Sequence, residues 1–259
     1  MDLGITGKRA IVCGGSSGLG AAIASALSHE GASVLIVARD EAKLAACAKD
    51  IRSSSGNAVD ILSVDLSQPD ERTKLIEACA TADILVNNSG GPPVGDYRKL
   101  THEDWLGAIE SNMLAAIELI NGVLPGMIER KFGRIVNVTS HMVKAPVAML
   151  SLSNGARAGL TGYVAGIARD VARHNITINN LLPGQFETQR LRSNHEKFAA
   201  ARGVTVEAFQ ESSKKGIPAG RFGQPPEFGA YAAFLCSIHS GYVTGQNLML
   251  DGGHYPGLI

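Results

Sequence analysis

Few cysteines, no surplus of charge and no long apolar run are the first features of this 259-residue chain. Cys13, Cys47, Cys79 and Cys236 stand far apart without a Cys-x-x-Cys pair, which argues against a disulfide framework or a zinc knuckle and fits a reducing cytosol. Lysine plus arginine (24) balances aspartate plus glutamate (24), so no long-range field gathers polyanions, and nucleic acid is not an expected partner. No stretch of about 18 apolar residues suggests a bilayer span, and no charged head with an apolar run precedes the strand at Arg9. The expectation is a protein without a signal peptide or a membrane partner, located in the cytoplasm. His29, His102, His141, His174, His195, His239 and His254 are dispersed without metal-ligand spacing, and there is no Gly-x-Ser-x-Gly elbow for a serine hydrolase.

What is present is a core-forming α/β pattern, with 45% hydrophobic and 19% charged residues. Short β-branched runs predict strands at Ala10–Cys13, Ser33–Ala38, Ala58–Val64, Ile84–Val86, Arg134–Val138, Thr177–Leu182 and Asn247–Leu250. Between them, helical periods span Leu19–His29, Glu41–Arg52, Gln68–Cys79, His102–Arg130, Ser151–His174 and Pro226–Ser237. Crossover helices are what parallel strands require, so residues 1–259 read as one doubly wound α/β domain of about seven strands with helices on both faces. One segment, Glu187 to Phe222, breaks the rhythm. It is polar, weakly periodic and too long for an ordinary connection, which suggests a lid over a substrate.

Directly after the first strand comes Gly14-Gly15-Ser16-Ser17-Gly18-Leu19-Gly20, which opens a helix. Glycines there permit a tight turn and the close approach of a pyrophosphate to backbone amides, where side chains would hold the phosphates off. A bland strand-to-helix loop is the alternative, and the position after a first strand counts against it.

The spacing resembles the TGxxxGxG turn of the short-chain dehydrogenase/reductase family, with Cys13 in the threonine position. The resemblance extends over nearly the whole chain. Asn87-Asn88-Ser89-Gly90 is similar to the family's NNAG, Asn112 to its helical asparagine, and Thr139-Ser140 to the end of its fifth strand. Pro183-Gly184 with Thr188 resembles PGxxxT, and Arg221 to Glu227, Thr244-Gly245 and Asp251-Gly252-Gly253 resemble its C-terminal third. The resemblance implies a Rossmann-type fold, a nicotinamide dinucleotide cofactor and hydride transfer. It implies cofactor contacts at Gly14, Ser16, Ser17, Gly18, Leu19, Gly20, Asn88, Gly90, Pro183, Gly184 and Thr188. Ala38-Arg39-Asp40 then falls where the adenosine ribose is read. Arg39 can fork onto a 2′-phosphate, so NADP(H) is favoured, with NAD(H) possible. Otherwise Arg39 is a solvated charge, Asp40 a helix cap, and Asp65 of the adenine-contacting pair Asp65-Leu66 an ordinary cap.

The catalytic pattern departs from the family. Its YxxxK element becomes SxxxR, Ser153-Asn154-Gly155-Ala156-Arg157, while Asn112 and Ser140 match. Serine is shorter than tyrosine and ionises far less readily. Arginine stays protonated and cannot relay a proton, although its donors can still hold the nicotinamide ribose. Ser153 and Arg157 are four apart, hence on one helix face. Loss of a positioned general acid costs roughly 10²- to 10⁴-fold in rate. The stand-ins are Lys144, as proton donor or anion binder or merely a solvated lysine; His141, or a packed histidine; and Tyr97, or a loop anchor. Tyr163 lies nearly three turns further along the helix on another side and cannot substitute.

Two readings follow. One is an NADP(H)-dependent reductase resembling the β-ketoacyl-carrier-protein reductases, in a subgroup with a degenerate site, acting on a small carbonyl or alcohol compound. The other is a nucleotide-binding regulator or subunit without hydride transfer, or a non-redox isomerase- or lyase-like enzyme. Relatives commonly form tetramers, so the resemblance implies a homotetramer; the apolar run Phe234–Ile238 and the tail from Gly252 to Ile259 fit that, or simple burial.

Overall fold

The computed structural model describes residues 1–258; Ile259, the end of the tail considered for self-association, lies outside the described residues. The seven strands are β1 (Arg9–Cys13), β2 (Ser33–Ala38), β3 (Val59–Ser63), β4 (Ile84–Asn87), β5 (Gly133–Val138), β6 (Ile176–Pro183) and β7 (Asn247–Leu250). All pair in parallel, in the order β3-β2-β1-β4-β5-β6-β7. The chain moves outward from β1 to β3, then returns to lay β4 on the other side of β1. That reversal opens a crevice beyond the carboxyl ends of β1 and β4, the usual ligand position in such sheets.

Helices cover both faces: α1 (Gly18–His29), α2 (Glu41–Ser55), α3 (Pro69–Cys79), α4 (His102–Ile109), α5 (Ala115–Arg130), α6 (Ser151–Val171), α7 (Gln189–Arg202), α8 (Val206–Lys215) and α9 (Pro225–Leu235). Strand alternation divides the core in two. Ala10, Val12, Val34 and Ile36 face Leu27 of α1, Leu44 of α2 and Phe228 of α9. Ile11, Cys13, Leu35 and Val37 face Leu75 of α3, Leu119 and Val123 of α5, and Leu160 and Val164 of α6.

The rod expected over His102–Arg130 is one continuous helical run, but it contains a single π turn at Glu110–Leu114. Contrary to the sequence expectation, its length and composition alone would let it cross a bilayer. Instead its Leu119, Ile120, Val123 and Met127 are buried against the sheet. The buried Arg72 of α3 donates to Glu110 Oε1 (2.5 Å), Glu118 Oε2 (2.7 Å) and the Leu66 carbonyl (2.8 Å), tying the start of the π turn and the first turn of α5 to α3.

The segment from 187 to 222, expected to be weakly structured, holds two capped helices. Thr188 accepts from Leu191 N at the start of α7, and Thr205 from Ala208 N at the start of α8; Gly203, at φ 65°, closes α7. The segment is anchored by His195, Ala199, Ile217 and Phe222, all buried. Four in-register asparagines cross the other half of the sheet. Asn87 donates to Asn137 (2.9 Å), Asn137 to Asn180 (3.0 Å) and Asn180 to the half-buried Asn247 (2.8 Å), so each amide supplies the next one's acceptor with a proton, while Asn87 Oδ1 at the head of the row has no partner among the described residues.

Candidate active site

The turn after β1 leaves no room for side chains at Gly14, Gly15 and Gly20. A Cβ on Gly20 would lie 2.1 Å from the Gly14 carbonyl oxygen, and one on Gly14, at φ 59°, would lie 2.6 Å from Asn88 Nδ2, which itself donates to that carbonyl (3.3 Å). Ser16 is half-buried and Ser17 exposed along the turn, and Leu19 packs into the core beneath it. Ser17 caps α1 by position only, for its hydroxyl takes no backbone N–H and the first turn holds no acid. The free amides and the positive end of the helix dipole therefore point into the crevice. A Cβ on Gly18 would stand 3.5 Å from the Thr188 methyl, so the start of α7 overlooks the same turn. Uncapped amides and a cradle that any Cβ would fill together fit a diphosphate. Gly90 has open space where a side chain would be. A Cβ on Gly184 would lie 2.7 Å from Asp251 Cα, and Gly184 donates its N–H to the Leu250 carbonyl, with Pro183 beside it closing the β6 side.

At the end of β2 the Arg39 side chain is 77% exposed, with Nη1 4.0 Å from Asp65 Oδ2. Asp40 caps α2 through Lys43 N (3.0 Å), as its alternative reading had it. Asp65 closes its own turn by accepting from Ser67 N and Oγ. Burial opposes its ionisation, but the Ser67 hydrogen bonds and the Arg39 charge outweigh that and lower its pKa. Leu66 follows it at the edge of the crevice, where it also lines the cavity beside Asn88 and Asn112.

The candidate catalytic corner lies where β4, β5 and α6 meet. Asn112 is carried inward by the π turn, a device frequent at functional sites; it is 4% exposed, its Oδ1 accepting from Ser89 Oγ (3.1 Å) and its Nδ2 donating to Ser111 Oγ (2.9 Å). Ser140 accepts from Met142 N (3.2 Å) and heads the short turn that ends at Lys144. Ser153 is buried, with no side-chain partner among the described residues, and shares a helix face with Arg157. Arg157 Nη1 donates to the carbonyls of Val138 (2.6 Å) and Thr139 (2.7 Å), and Nη2 reaches Ser89 O at 3.5 Å, while Nε is buried without a partner among the described residues. Burial, and next the neighbouring Arg190 charge, push its pKa down to about 10. Its guanidinium is thus turned mainly to main-chain carbonyls.

The three stand-ins differ. Lys144 is half-buried, and its ammonium has no hydrogen bond or ion pair among the described residues. His141 Nδ1 lies 3.0 Å from the Pro183 carbonyl, which can only accept, so the proton sits on Nδ1 and the buried Nε2 carries a lone pair. Burial lowers its pKa, so at neutral pH it is an acceptor and not a proton donor. Tyr97 is 58% exposed in a surface turn. Tyr163 donates to Asn121 (2.6 Å), on the side away from the corner. Sequence reasoning missed Arg190, whose Nη2 donates to the carbonyls of Gly91 (3.0 Å) and Pro92 (2.9 Å). No residue pattern marks a side chain whose partners are main chain.

A doubly wound parallel sheet with this turn and this corner defines a short-chain dehydrogenase. The family's profile, described as short chain dehydrogenase, matches residues 8–198, and the chain belongs to that family. It is 31% identical over 254 residues to the 3-oxoacyl-(acyl-carrier-protein) reductase FabG of Vibrio harveyi, covering 98% of this chain and 99% of that one. It is also 31% identical over 251 residues to the NADPH-dependent reductase BacG of Bacillus subtilis, with 95% and 97% covered. Among solved structures it resembles the L-sorbose reductase of Gluconobacter frateurii complexed with NADPH and L-sorbose, at a TM-score of 0.93, 30% identity and full coverage of both chains.

Proposed function

We propose that this protein is an NADP(H)-dependent reductase of a ketone or 3-oxoacyl-like carbonyl that works with an altered catalytic set. The observation that carries the reading is the uncapped start of α1 above the glycine turn, where amides and helix dipole await a diphosphate. NADP(H) is the cofactor, supported by the exposed Arg39 at the ribose position and by the NADPH-binding relatives of similar fold. Gly14 to Gly20 hold the diphosphate, Arg39 the 2′-phosphate, Asp65 and Leu66 the adenine end, and Asn88, Gly90, Pro183, Gly184 and Thr188 the nicotinamide half.

When bound, the reduced nicotinamide supplies a hydride to the carbonyl carbon. Ser140 and Ser153 donate hydrogen bonds to the carbonyl oxygen, and Lys144 delivers the proton that makes it a hydroxyl. Asn112 holds the Ser89 loop, and Arg157 binds the ends of β4 and β5 together with its remaining donors toward the cleft. Residues 187–222 serve as the lid. On this reading the chain is a 3-oxoacyl-reductase-like member of a subgroup with a degenerate SxxxR corner. It acts in the cytoplasm on a small carbonyl or alcohol compound, without nucleic acid or membrane. It assembles as a homotetramer, to which the exposed Ile238, Tyr242 and Leu258 would contribute.

The second reading, a nucleotide-binding regulator or a non-redox isomerase- or lyase-like enzyme, is favoured by one observation: the Arg157 fork is occupied by carbonyls. Titration with NADPH and NADH, followed by NADPH consumption on a ketone and quinone panel, separates them. NADPH should bind at least about tenfold tighter than NADH, as expected of a charge-assisted contact, and Arg39→Ala should erase the difference. Equal affinities overturn the NADP(H) assignment. Tight NADPH binding without turnover on any carbonyl overturns the reductase and leaves the second reading.

A further inference from the structure

Two buried polar atoms beside the corner have no partner among the described residues, and they complement each other. Asn87 Oδ1 can only accept and the Arg157 Nε–H can only donate, on side chains of residues that are 6% and 7% exposed. Strand alternation turns Asn87 to the same side of the sheet as Leu85, the side that α5 and α6 cover. Asn87 and Arg157 line one cavity of about 20 Å³, together with Ser89, Asn112, Ala115 and Leu160. That is room for one water.

The rest of each side chain is committed. Arg157 Nη1 is held by the Val138 and Thr139 carbonyls. Asn87 Nδ2 is held by Asn137, whose own amide passes the bond on to Asn180 and then Asn247. All four amides point the same way, so their dipoles add, and the carbonyl end of the row is the end at the cavity. Reversing the row would turn Asn87 Nδ2 toward the guanidinium, donor against donor. A buried donor and a buried acceptor each cost stability when left dry. One water satisfies both, because its lone pair accepts from Nε–H while one of its hydrogens goes to Oδ1. We propose that the cavity binds a single water that bridges Arg157 Nε to Asn87 Oδ1, and that Asn87 is thereby a positioning residue, fixing the plane of the guanidinium so that Nη2 is the part left to the cleft. The water site is independent of the reductase reading; only its effect on cofactor affinity rests on that reading.

A crystal structure should show one ordered water within hydrogen-bond distance of both atoms. A dry cavity, a water held by only one of them, or direct contact between the two overturns the proposal. The positioning role is read from two exchanges that damage the amide row alike. Asn87→Asp and Asn87→Leu both lose the bond to Asn137, and both should lower the melting temperature, but only the first keeps an acceptor at the cavity. In calorimetry NADP⁺ should bind about threefold to tenfold more weakly to Asn87→Leu, the range of one hydrogen bond, and within about twofold of wild type to Asn87→Asp. In ¹⁵N spectra the Arg157 Nε–H should be protected from solvent exchange in the wild type and in Asn87→Asp, and lose that protection in Asn87→Leu. Should Asn87→Leu not fold, Ala115→Val fills the cavity with the row intact and should weaken NADP⁺ by the same factor. Wild-type affinity in Asn87→Leu or in Ala115→Val, or equal loss in both Asn87 variants, leaves Asn87 a purely structural residue and overturns its positioning role. If NADP⁺ fails to bind the wild type while the water is present, the water site stands and the cofactor reading falls, and the Nε–H protection alone then decides the role of Asn87.

Discussion

The turn after β1 and the corner between β5 and α6 meet the same crevice, yet they tolerate change differently. At three glycines the turn is backbone that no Cβ can enter: Gly20 faces the Gly14 carbonyl, Gly15 faces Ile36, and Gly14 in turn faces Asn88. Its proposed function is a property of main-chain amides, so these three glycines leave no space for a substitution. The corner is made of side chains on rigid supports, Ser153 and Arg157 of α6, which the resemblance in sequence sets at the family's tyrosine and lysine positions. A backbone-built site is tied to the folding of its turn, whereas side chains on a rigid support can be exchanged with the support intact.

That contrast can be broken most forcefully at the corner. If only side chains separate this site from the family's usual one, the double change Ser153→Tyr with Arg157→Lys should raise NADPH-dependent reduction of ethyl acetoacetate by about 10²- to 10⁴-fold, the contribution of a positioned general acid. Steady-state kinetics measure it, and an unchanged rate would mean that the corner has diverged in its backbone too. At the turn, Gly20→Ala should do the reverse. A methyl group 2.1 Å from the Gly14 oxygen forces the loop apart, weakening NADPH by about tenfold or more and costing about 1–3 kcal/mol of stability. Calorimetry and a thermal melt read the two effects. Wild-type affinity in this variant would show that the turn is not the cradle.

The fold was legible because parallel strands buried on both faces read as β-branched runs, and β2 and β7 were bounded to the residue. The π turn was not, since one extra residue inside a long apolar helix leaves the 3.6 period nearly intact, although it is what swings Asn112 inward. The helices α7 and α8 were missed because α7 buries only His195 and Ala199 and α8 buries no residue, so no stripe forms; the signals were their threonine caps and Gly203. In the site, the glycine turn could be read from sterics alone. The commitments of Arg157 and Arg190 could not, because carbonyl acceptors exist at every position. The asparagine ladder needed the strand register, which a sequence does not display.

The smallest effect sharpens the comparison by showing that the segment over the site yields before the sheet does. His195 on α7 sits between Phe209 and Phe222, at 5.2 and 5.3 Å, with Nε2 3.1 Å from Gln185 Oε1. An amide oxygen only accepts, so Nε2 bears the proton and the buried Nδ1 has no partner. Burial lowers the pKa of His195, and the Glu187 charge offsets this only in part. Lys214 over Phe222 and Arg202 over Phe209 add positive charge to the same nest. The open segment therefore binds a proton more readily than the closed one. The stability His195 contributes is full above its ordinary value near 6.5 and is lost as pH falls below it, with a limit of about tenfold per pH unit for one proton. Hydrogen exchange should show α7 and α8 losing protection between pH 7 and 5 while β1, β4 and β5 keep theirs. His195→Phe should abolish that dependence. Equal loss in the variant would place the acid sensitivity elsewhere, and parallel loss in the strands would mean that segment and sheet open as one unit.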